Sequence, residues 1–338
     1  MNLAYKLGVE SHRWLCIILL LTVGTCAFPQ GKVKRLYGRV DSLLRTRYER
    51  VTYDTQYISR PDRRLLLRVR ANLSGNSIRY KNEQGGNNIH AHVSTALRGT
   101  VSLGASYMGI SAAFSLNPGK MSGRNKDFEF NASAASNRYI IDLNYQRSNT
   151  LSGDIDTGPN SYYLDKDFAE MKILSVSACY FFNRKRRFSY PAAFSQSYIQ
   201  KRSAGSWLAG VSFVGGTINT NDDVPGGFPR LNLKVRNVAV GGGYAHNFVY
   251  RKCLFHLSLV PTVIVYNYNK ITLNNLKRVE YTHFPDFIVN ARAAVLYNIS
   301  PRYFVGSTVV ANSSVLGNFD HYTSQTKWLA RAFFGFRI

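Results

Sequence analysis

Apolar and polar residues alternate along the last eleven residues of the chain. Every second residue from Trp328 to Ile338 is apolar, and the intervening positions include Arg331 and Arg337. A period of two predicts a β-strand whose two faces meet different surroundings. A final strand with aromatic residues two positions apart is typical of the closing strand of an outer-membrane β-barrel, although one such strand is also compatible with a soluble β-sandwich.

The same alternation recurs along most of the chain. Between residues 67 and 73 the odd-numbered positions are all apolar, whereas Arg68 and Arg70 lie on the other face. No segment after residue 27 is long and apolar enough to predict a transmembrane helix. The fold class we predict is all-β, a transmembrane antiparallel up-and-down β-barrel of about twelve strands. These strands are predicted near 65–80, 91–107, 110–117, 127–135, 138–148, 170–182, 205–217, 236–248, 253–267, 286–298, 302–312 and 327–338.

Connections between the predicted strands alternate in length. Tight turns are predicted at 108–109, 136–137, 249–252 and 299–301. Long polar loops are predicted at 82–90, 118–126, 149–169, 218–235, 268–285 and 313–326. Short turns on one side and long loops on the other are typical of outer-membrane barrels, with the turns in the periplasm. Aromatic residues near both strand ends are expected to form girdles at the two membrane surfaces.

Three regions lie outside the barrel pattern. Residues 1–27 have a basic start, a short apolar run and small residues, which predicts a cleaved signal peptide and export. Residues 28–64 are predicted to form a basic periplasmic N-terminal arm, and the barrel domain is then 65–338. Residues 183–204 form a long insert on the turn side. Either the insert or the arm is expected to fold into the lumen as a plug, or to lie on the periplasmic face.

The chain is strongly basic, with a formal net charge of +24 at pH 7. A barrel in the outer membrane does not meet nucleic acid, so no nucleic-acid partner is expected. Basic loops and rims can instead bind lipopolysaccharide among the outer-membrane lipids, and basic lumen residues can concentrate a small anionic solute. Strand parity predicts a basic cluster on the lumen side, made of Arg68, Arg70, Arg98, Arg292 and Arg331.

A purely structural role for these arginines competes with the solute hypothesis. Glu129 and Asp142 also take the lumen side by parity, so the arginines can pair with them and simply fill a narrow barrel. The arginines outnumber these carboxylates, and only unpaired ones would give the lumen a positive field. The sequence leaves both explanations open.

His256 and Ser258 are the candidate catalytic residues. They lie two positions apart on one strand face, as a general base and a nucleophile would in a lipid-acting outer-membrane hydrolase. Phe255 takes the lipid side, so both are expected to face the lumen, and the enzyme is only the alternative function. No cofactor and no metal site is expected, because Cys179 and Cys253, left after signal-peptide removal, lack the spacing of metal ligands.

Several segments resemble a family of uncharacterised Bacteroidetes proteins. They are Tyr53–Pro61, Arg68–Asn72, Phe188–Gln200 and Arg202–Trp207, and the third is the most specific. The resemblance covers nearly all of the chain after the signal peptide. The family is known only as a domain of unknown function and is regarded as outer-membrane barrels. The resemblance therefore implies the bacterial outer membrane and a Bacteroidetes source, but it assigns no activity and no site residues.

The function we predict is a porin-like barrel that binds or passes a small anionic solute through a basic lumen. A barrel of this size encloses a narrow lumen, which 183–204 or the N-terminal arm would restrict. A lipid-acting hydrolase using His256 and Ser258, or a surface or assembly barrel without transport, are the alternatives. The C-terminal strand is expected to be recognised by the barrel-assembly machinery.

Overall fold

The computed structural model describes residues 42, 45, 46, 48–82, 89–108, 110–116, 127–156, 160–220, 231–273, 276–280, 286–317 and 321–338. The chain divides into two compact units, 1–52 and 53–338. In the first unit the described residues up to Glu49 are helical, and the Thr46 hydroxyl donates to the Ser42 carbonyl at 2.9 Å. The predicted signal peptide, 1–27, lies outside the described residues, as does the N-terminal arm as far as residue 41.

The second unit is built almost entirely of β-strands. Its elements are β1 (Ile58–Ser59), β2 (Leu65–Asn82), β3 (Ile89–Thr95), β4 (Arg98–Tyr107), β5 (Ile110–Leu116), β6 (Phe128–Ala135), β7 (Tyr139–Ser148), β8 (Leu151–Asp156), β9 (Ser161–Leu164), β10 (Ala169–Phe181), α1 (Tyr190–Phe194), β11 (Ile199–Gln200), β12 (Ala204–Thr220), β13 (Leu231–Tyr250), β14 (Cys253–Leu273), β15 (Leu276–Glu280), β16 (Phe287–Asn298), β17 (Tyr303–Gly317) and β18 (His321–Arg337). Within the described part of the chain, no helix is long and apolar enough to cross a membrane.

The strands pair antiparallel in a circuit that returns to its starting point. The order runs β6-β7-β10-β12-β13-β14-β16-β17-β18-β2-β3-β8, so the last strand pairs with the first long one. β3 then pairs with β8, which continues β7 after only Asn149 and Thr150. Through this pairing the circuit of strands closes among the described residues, while β5 pairs with β4 and β6 pairs with β7. Such closure suits the hydrocarbon of a membrane, because an open edge leaves backbone N–H and C=O groups unpaired. The predicted barrel is confirmed.

The two faces of the strands have opposite chemistry. Along β4, Ser102 and Ser106 are buried, whereas Val101 and Leu103 are 46% and 59% exposed on the outer wall. Other apolar residues of the outer wall are also exposed: Leu67, Val69, Val211 and Phe334. An outward apolar band with an inward polar wall is the arrangement that a lipid-facing barrel needs.

The two ends of the barrel differ. We call the end with the tight connections at 108–109, 136–138, 251–252 and 299–302 the turn end, and the opposite end the loop end. Exposed aromatic residues cluster on the outer wall near the turn end, among them Tyr107, Tyr139, Tyr180, Trp207, Phe248, Tyr297 and Tyr303. Such a ring suits a membrane surface, where an aromatic side chain keeps its polar edge in water.

The predicted strands correspond to strands of the structure, but two predicted loops contain further ones. Residues 149–169 contain β8 and β9, and residues 268–285 contain the end of β14 and β15. Both loop predictions were wrong, as was the loop predicted at 313–326, where β17 extends to Gly317 and β18 begins at His321. Above the membrane neither face of a strand meets lipid, so the apolar alternation that marks a spanning strand is missing. The strand predicted over 91–107 is also broken, at Ala96 and Leu97, where the partner of β2 changes from β4 to β3.

Removing the end of β18 is predicted to prevent assembly. Deletion of Phe334–Ile338 removes the pairing of this segment with β2, including the two backbone hydrogen bonds between Leu65 and Ile338. The barrel then has an open edge at its seam. We expect loss of heat-modifiable migration on a cold denaturing gel. The control Ile338→Ala keeps the main-chain bonds and should migrate like the wild type. Normal assembly of the deletion would show that the seam is dispensable.

Candidate functional site

Residues 183–204, between β10 and β12, fold back into the turn end of the lumen. We call this segment the plug. Its Phe188, Tyr190, Ala192 and Ala193 are buried against inward-facing apolar side chains of the barrel wall. The wall residues are Leu66, Leu254, Ala294, Leu296, Phe304 and Phe333 in one cluster, and Ile140, Phe181, Leu208, Ala245 and Val260 in the other. Because they come from strands on most of the circuit, the plug fills the lumen at this end.

Two amide side chains, a partly buried one of Asn183 and a buried one of Gln200, shape the backbone of the plug. Asn183 accepts from the backbone N–H groups of Arg187 and Phe188 and donates to the Phe188 carbonyl at 2.6 Å. Gln200 accepts from the Ser189 N–H at 2.9 Å and donates to the Arg187 carbonyl at 2.6 Å. A chain buried outside regular structure must satisfy its polar groups in this way. α1 is short, with Pro191 in its first turn, where the missing N–H costs no hydrogen bond.

Residues 53–64, predicted as part of the arm, belong to the same compact unit as the plug. β1 pairs with β11 of the plug, Ile58 lying opposite Gln200. The Arg187 side chain donates to Asp54 at 2.9 Å, and this hydrogen bond lowers the pKa of the Asp54 carboxyl below its ordinary value. The chain is thus tied to the plug just before it enters β2.

Arg68 fixes the plug to the inner wall of β2. Its Nη1 donates to Gln196 Oε1 at 2.9 Å and to the Ser195 carbonyl at 3.1 Å. The Phe194 carbonyl lies 3.5 Å from the same nitrogen. These carbonyls follow the end of α1, where helical residues leave acceptors unpaired. A buried guanidinium bound to several acceptors of one segment orients that segment.

Arg292 joins the plug to two strands of the wall. From β16, its Nη1 donates to the Tyr190 hydroxyl and its Nη2 to the Asp142 carboxylate of β7, both at 2.7 Å. The carboxylate compensates the charge of this guanidinium. Arg292 therefore acts as a bridge across the lumen through the plug.

Arg98 lies where β8 continues β7. It donates to Asp127 at 3.0 Å and to Glu129 at 2.8 Å, and all three side chains are almost fully buried. Asp127 also accepts from the Thr150 hydroxyl at 2.9 Å. This network joins β4 to β6 and to the link between β7 and β8, so Arg98 serves the closure of the barrel.

Arg70 and Arg331 differ from the other three predicted arginines. They lie on the adjacent strands β2 and β18, close enough for their charges to repel each other. Within the part of the chain that the structure describes, no carboxylate is within ion-pair distance of either guanidinium. On the β4 side their inward neighbours are polar: Arg70 lies opposite Ser102, and Asn72, opposite Arg331, donates to the Thr100 and Ser102 hydroxyls. On the β18 side Arg70 lies opposite the buried Phe333. The apolar clusters that hold the plug take no residue from β4. The β2–β4 side of the lumen is thus polar and basic.

His256 and Ser258 face the lumen and are buried under the plug. His256 Nε2 is 3.2 Å from Ser258 Oγ, and its Nδ1 is 2.7 Å from the Oδ1 of Asn247 on the neighbouring strand. The Asn247 amide also donates to the Ser189 carbonyl of the plug at 2.8 Å. A serine hydroxyl next to a histidine that an amide orients is the arrangement of a nucleophile, its general base and an orienting group. Here Phe188, Tyr190 and Phe194 surround the imidazole ring, and they leave no approach for a lipid.

A cavity of about 140 Å³ opens in the loop half of the lumen. Its wall combines apolar side chains such as Ile173 and Ile288 with the amides of Asn290 and Asn312. Lys327 lies opposite Asn312 on β18 and also lines it, 3.7 Å from Glu129 and in contact with Asn144. The cavity is therefore partly apolar, with amides and one compensated cation. Among the described residues no group of His, Cys, Asp and Glu is arranged to hold a metal ion.

The sequence did not reveal Asn247, Gln200 or Tyr190 as lumen residues. For Asn247 the missing information was the turn. Tyr250 pairs with Cys253, so Arg251 and Lys252 alone form the turn, with Arg251 in the left-handed region at φ 52°. The turn predicted at 249–252 was too long, and only the shorter one places Asn247 opposite His256. For the plug, a signal was present: inward positions near the turn end are apolar instead of polar.

One family model matches most of the chain. It is described as a domain of unknown function, DUF4421, and it covers residues 52–337. These bounds nearly coincide with the second compact unit. No curated protein matches the chain.

Solved structures similar to this chain are bacterial outer-membrane proteins. The outer-membrane protease OmpT from Escherichia coli is 9% identical to this chain, with a TM-score of 0.43. The match covers 86% of this chain and 100% of the OmpT chain. The translocator domain of the autotransporter NalP from Neisseria meningitidis shares 9% identity, a TM-score of 0.30 and coverages of 95% and 99%. OprG from Pseudomonas aeruginosa shares 11% identity, a TM-score of 0.28 and coverages of 82% and 97%.

Replacing Arg68 is predicted to loosen the plug. Arg68→Met keeps the length of the side chain but removes the donors to Gln196 and Ser195, leaving buried acceptors unpaired. Charge-assisted hydrogen bonds contribute about 1.5–3 kcal/mol each, so we expect hydrogen exchange of residues 189–200 to accelerate at least about tenfold.

Arg70→Met is the matched control for this experiment, because Arg70 lies on the same strand face and donates no hydrogen bond to the plug. Its exchange over 189–200 should equal that of the wild type. Equal exchange in Arg68→Met and the wild type would mean that apolar packing alone holds the plug.

Proposed function

We propose that this chain, a member of the family described as domain of unknown function DUF4421, is a plugged outer-membrane barrel that binds a small organic anion and passes it along the basic side of its lumen. The observation that supports the proposal most is the pair of neighbouring arginines, Arg70 and Arg331, without a carboxylate partner among the described residues. Two adjacent cations in a wall of low dielectric attract an anion strongly.

The other lumen cations support the proposal by contrast. Arg98 and Arg292 are bound to carboxylates, and Arg68 is bound to the plug. A barrel that only needed filling would compensate Arg70 and Arg331 in the same manner, since unpaired buried charges are costly. An anion that arrives from outside would supply the missing charge.

The lining of the cavity in the loop half indicates which chemical groups the solute carries besides its negative charge. Its apolar side chains favour a carbon skeleton, and Asn290 and Asn312 offer hydrogen bonds to polar substituents. A cavity of about 140 Å³ admits only a small molecule. The solute class that fits these features is a small carboxylate or a similar organic anion.

The plug sets the condition for passage. Apolar packing closes most of the turn end, so a solute in the cavity leaves on that side only along β4 or after the plug moves. The hydrogen bonds of Arg68 and Arg292 to the plug are the contacts that such a movement breaks. Proteins commonly couple passage to a movable segment of limited stability.

Ion selectivity tests the proposed role of Arg70 and Arg331. The wild type is expected to conduct poorly in planar bilayers, whereas Arg68→Met, with its plug loosened, should conduct and prefer chloride to potassium. In the Arg68→Met background, Arg70→Glu with Arg331→Glu should move the reversal potential in a potassium chloride gradient towards cation selectivity. Raising the salt concentration should weaken the preference, because ions screen the field.

The control carries Arg184→Glu and Lys185→Glu, two exposed residues at the start of the plug. Its reversal potential should stay close to that of Arg68→Met alone. If the barrel conducts and the Arg70→Glu and Arg331→Glu changes leave its reversal potential unchanged, the anion proposal is contradicted.

Hydrolysis is the second candidate function, and the chain Ser258–His256–Asn247 is the observation in its favour. We expect no labelling of the wild type by a fluorophosphonate, which reacts with activated serines, because the plug covers Ser258. We also expect none in Arg68→Met, since no oxyanion donors are free on the paired strand. Labelling of Arg68→Met that disappears on Ser258→Ala and on His256→Ala would establish a latent hydrolase and reverse the ranking.

A further inference from the structure

We propose that the outer wall carries a binding site for the phosphate groups of an anionic glycolipid of the surrounding leaflet, centred on Lys172, Lys234 and Arg236. The site lies on the lipid side of β10, β12 and β13, far from the plug and the lumen cations. A cavity of about 260 Å³ marks it, lined by these three cations together with Tyr145, Leu174, Phe213 and Thr217.

Strand register places cations of four strands, and one threonine of a fifth, in one row. The row runs Arg147, Lys172, Thr217, Lys234 and Lys270, each residue directly opposite the next. Adjacent strands are about 4.8 Å apart, so neighbouring members of the row can contact one headgroup. Four of its five members are cationic, whereas like charges directly opposite each other normally destabilise a sheet. An external anion removes that repulsion.

Apart from Arg236, the two rows next to this one hold apolar and aromatic residues and one glycine. Directly beneath it lie Tyr145, Leu174, Gly215, Arg236 and Tyr268, and beneath those Leu143, Val176, Phe213, Val238 and Tyr266. The outer wall thus changes from acyl-chain chemistry to cationic chemistry within two rows. Such a change is expected where the hydrocarbon ends and the headgroups begin.

The distance along β12 agrees with that position. Trp207 belongs to the aromatic ring of the turn end, and Thr217 lies ten residues further along the strand. At about 3.3 Å per residue and a tilt of about 40°, the two residues are about 25 Å apart along the barrel axis. This length equals the height of about 25 Å of the apolar band of such barrels. The cationic row therefore lies at the opposite membrane surface.

The charge of the row is only partly compensated. Glu170 pairs with both Arg147 and Lys172. Among the described residues neither Lys234 nor Arg236 has a carboxylate within ion-pair distance. The guanidinium carbon of Arg236 lies 6.0 Å from the centre of the Tyr268 ring, which leaves its charge uncompensated by an anion. Within the described part of the chain, the half of the row on β13 is thus the half without a carboxylate partner, and we assign the phosphate to it.

Gly215 gives the site its depth. A Cβ atom at this position would come within 2.9 Å of the Phe213 ring, so the missing side chain lets the ring lie flat against β12. The ring then forms an apolar floor between Leu174 and the cations. An acyl chain on this floor and a phosphate at Lys234 and Arg236 belong to one lipid molecule. A site that combines an apolar floor with cations therefore fits a lipid and not a free anion.

The experiment measures lipid retention by native mass spectrometry of the detergent-purified barrel, with bisphosphorylated lipid A as the probe and phosphatidylcholine as the neutral comparison. The wild type should retain lipid A and release phosphatidylcholine. The variant Lys172→Gln, Lys234→Gln, Arg236→Gln should bind lipid A on the order of 100-fold more weakly, as loss of three surface cations near an anionic lipid implies. The control Arg184→Gln, Lys185→Gln, Arg251→Gln removes three exposed cations at the turn end and should bind like the wild type.

Equal lipid A retention by the triple variant and the wild type would overturn the proposal. So would displacement of lipid A by millimolar inorganic phosphate, because the site would then recognise the free anion. Should the triple variant lack heat-modifiable migration, Lys234→Gln with Arg236→Gln replaces it, and a loss of on the order of tenfold is expected.

Discussion

The need to pair every backbone polar group inside hydrocarbon is the constraint on which the rest of this structure depends. The chain meets it by joining β18 to β2 and by joining β3 to β8, the direct continuation of β7. The second joint bypasses β5 and β6, which pair with β4 and with β7, and Arg98 holds it through Asp127 and Glu129. One of the predicted solute-binding arginines is thus occupied by closure itself.

Closure also determines what the lumen contains. Side chains alternate in a closed sheet, so inward apolar residues at the turn end have no lipid to face and need a partner inside. The plug is that partner, and Arg68 and Arg292 position it. What the plug leaves uncovered is the polar side along β4 with Arg70 and Arg331. The structural explanation of the basic lumen therefore accounts for three of the five arginines, and the solute hypothesis addresses the other two.

Parity made the barrel predictable from sequence, because lipid selects apolar residues on the outward face of the spanning strands, such as Leu67 on β2 and Phe334 on β18. Parity carries no information where lipid is absent, so β8, β9 and β15 were missed. Predicting the contacts inside the lumen required more information than strand parity gives. The partner of His256 depends on the register set by a two-residue turn at Arg251, and the location of Tyr190 depends on long-range packing. Apolar inward residues such as Leu66 and Leu296 were the readable sign of a plug.

Cross-linking of the plug to the wall tests the central claim most directly. Ala193 of α1 and Ala294 of β16 are both buried in the same apolar cluster. With Cys179 and Cys253 replaced by Ala, the variant Ala193→Cys, Ala294→Cys should form a disulfide rapidly under mild oxidation, and the pair Ala193→Cys, Ala105→Cys, with Ala105 on the outer wall, should not. Absence of the first cross-link, with Ala193→Cys freely labelled by a water-soluble maleimide, would contradict a plugged lumen.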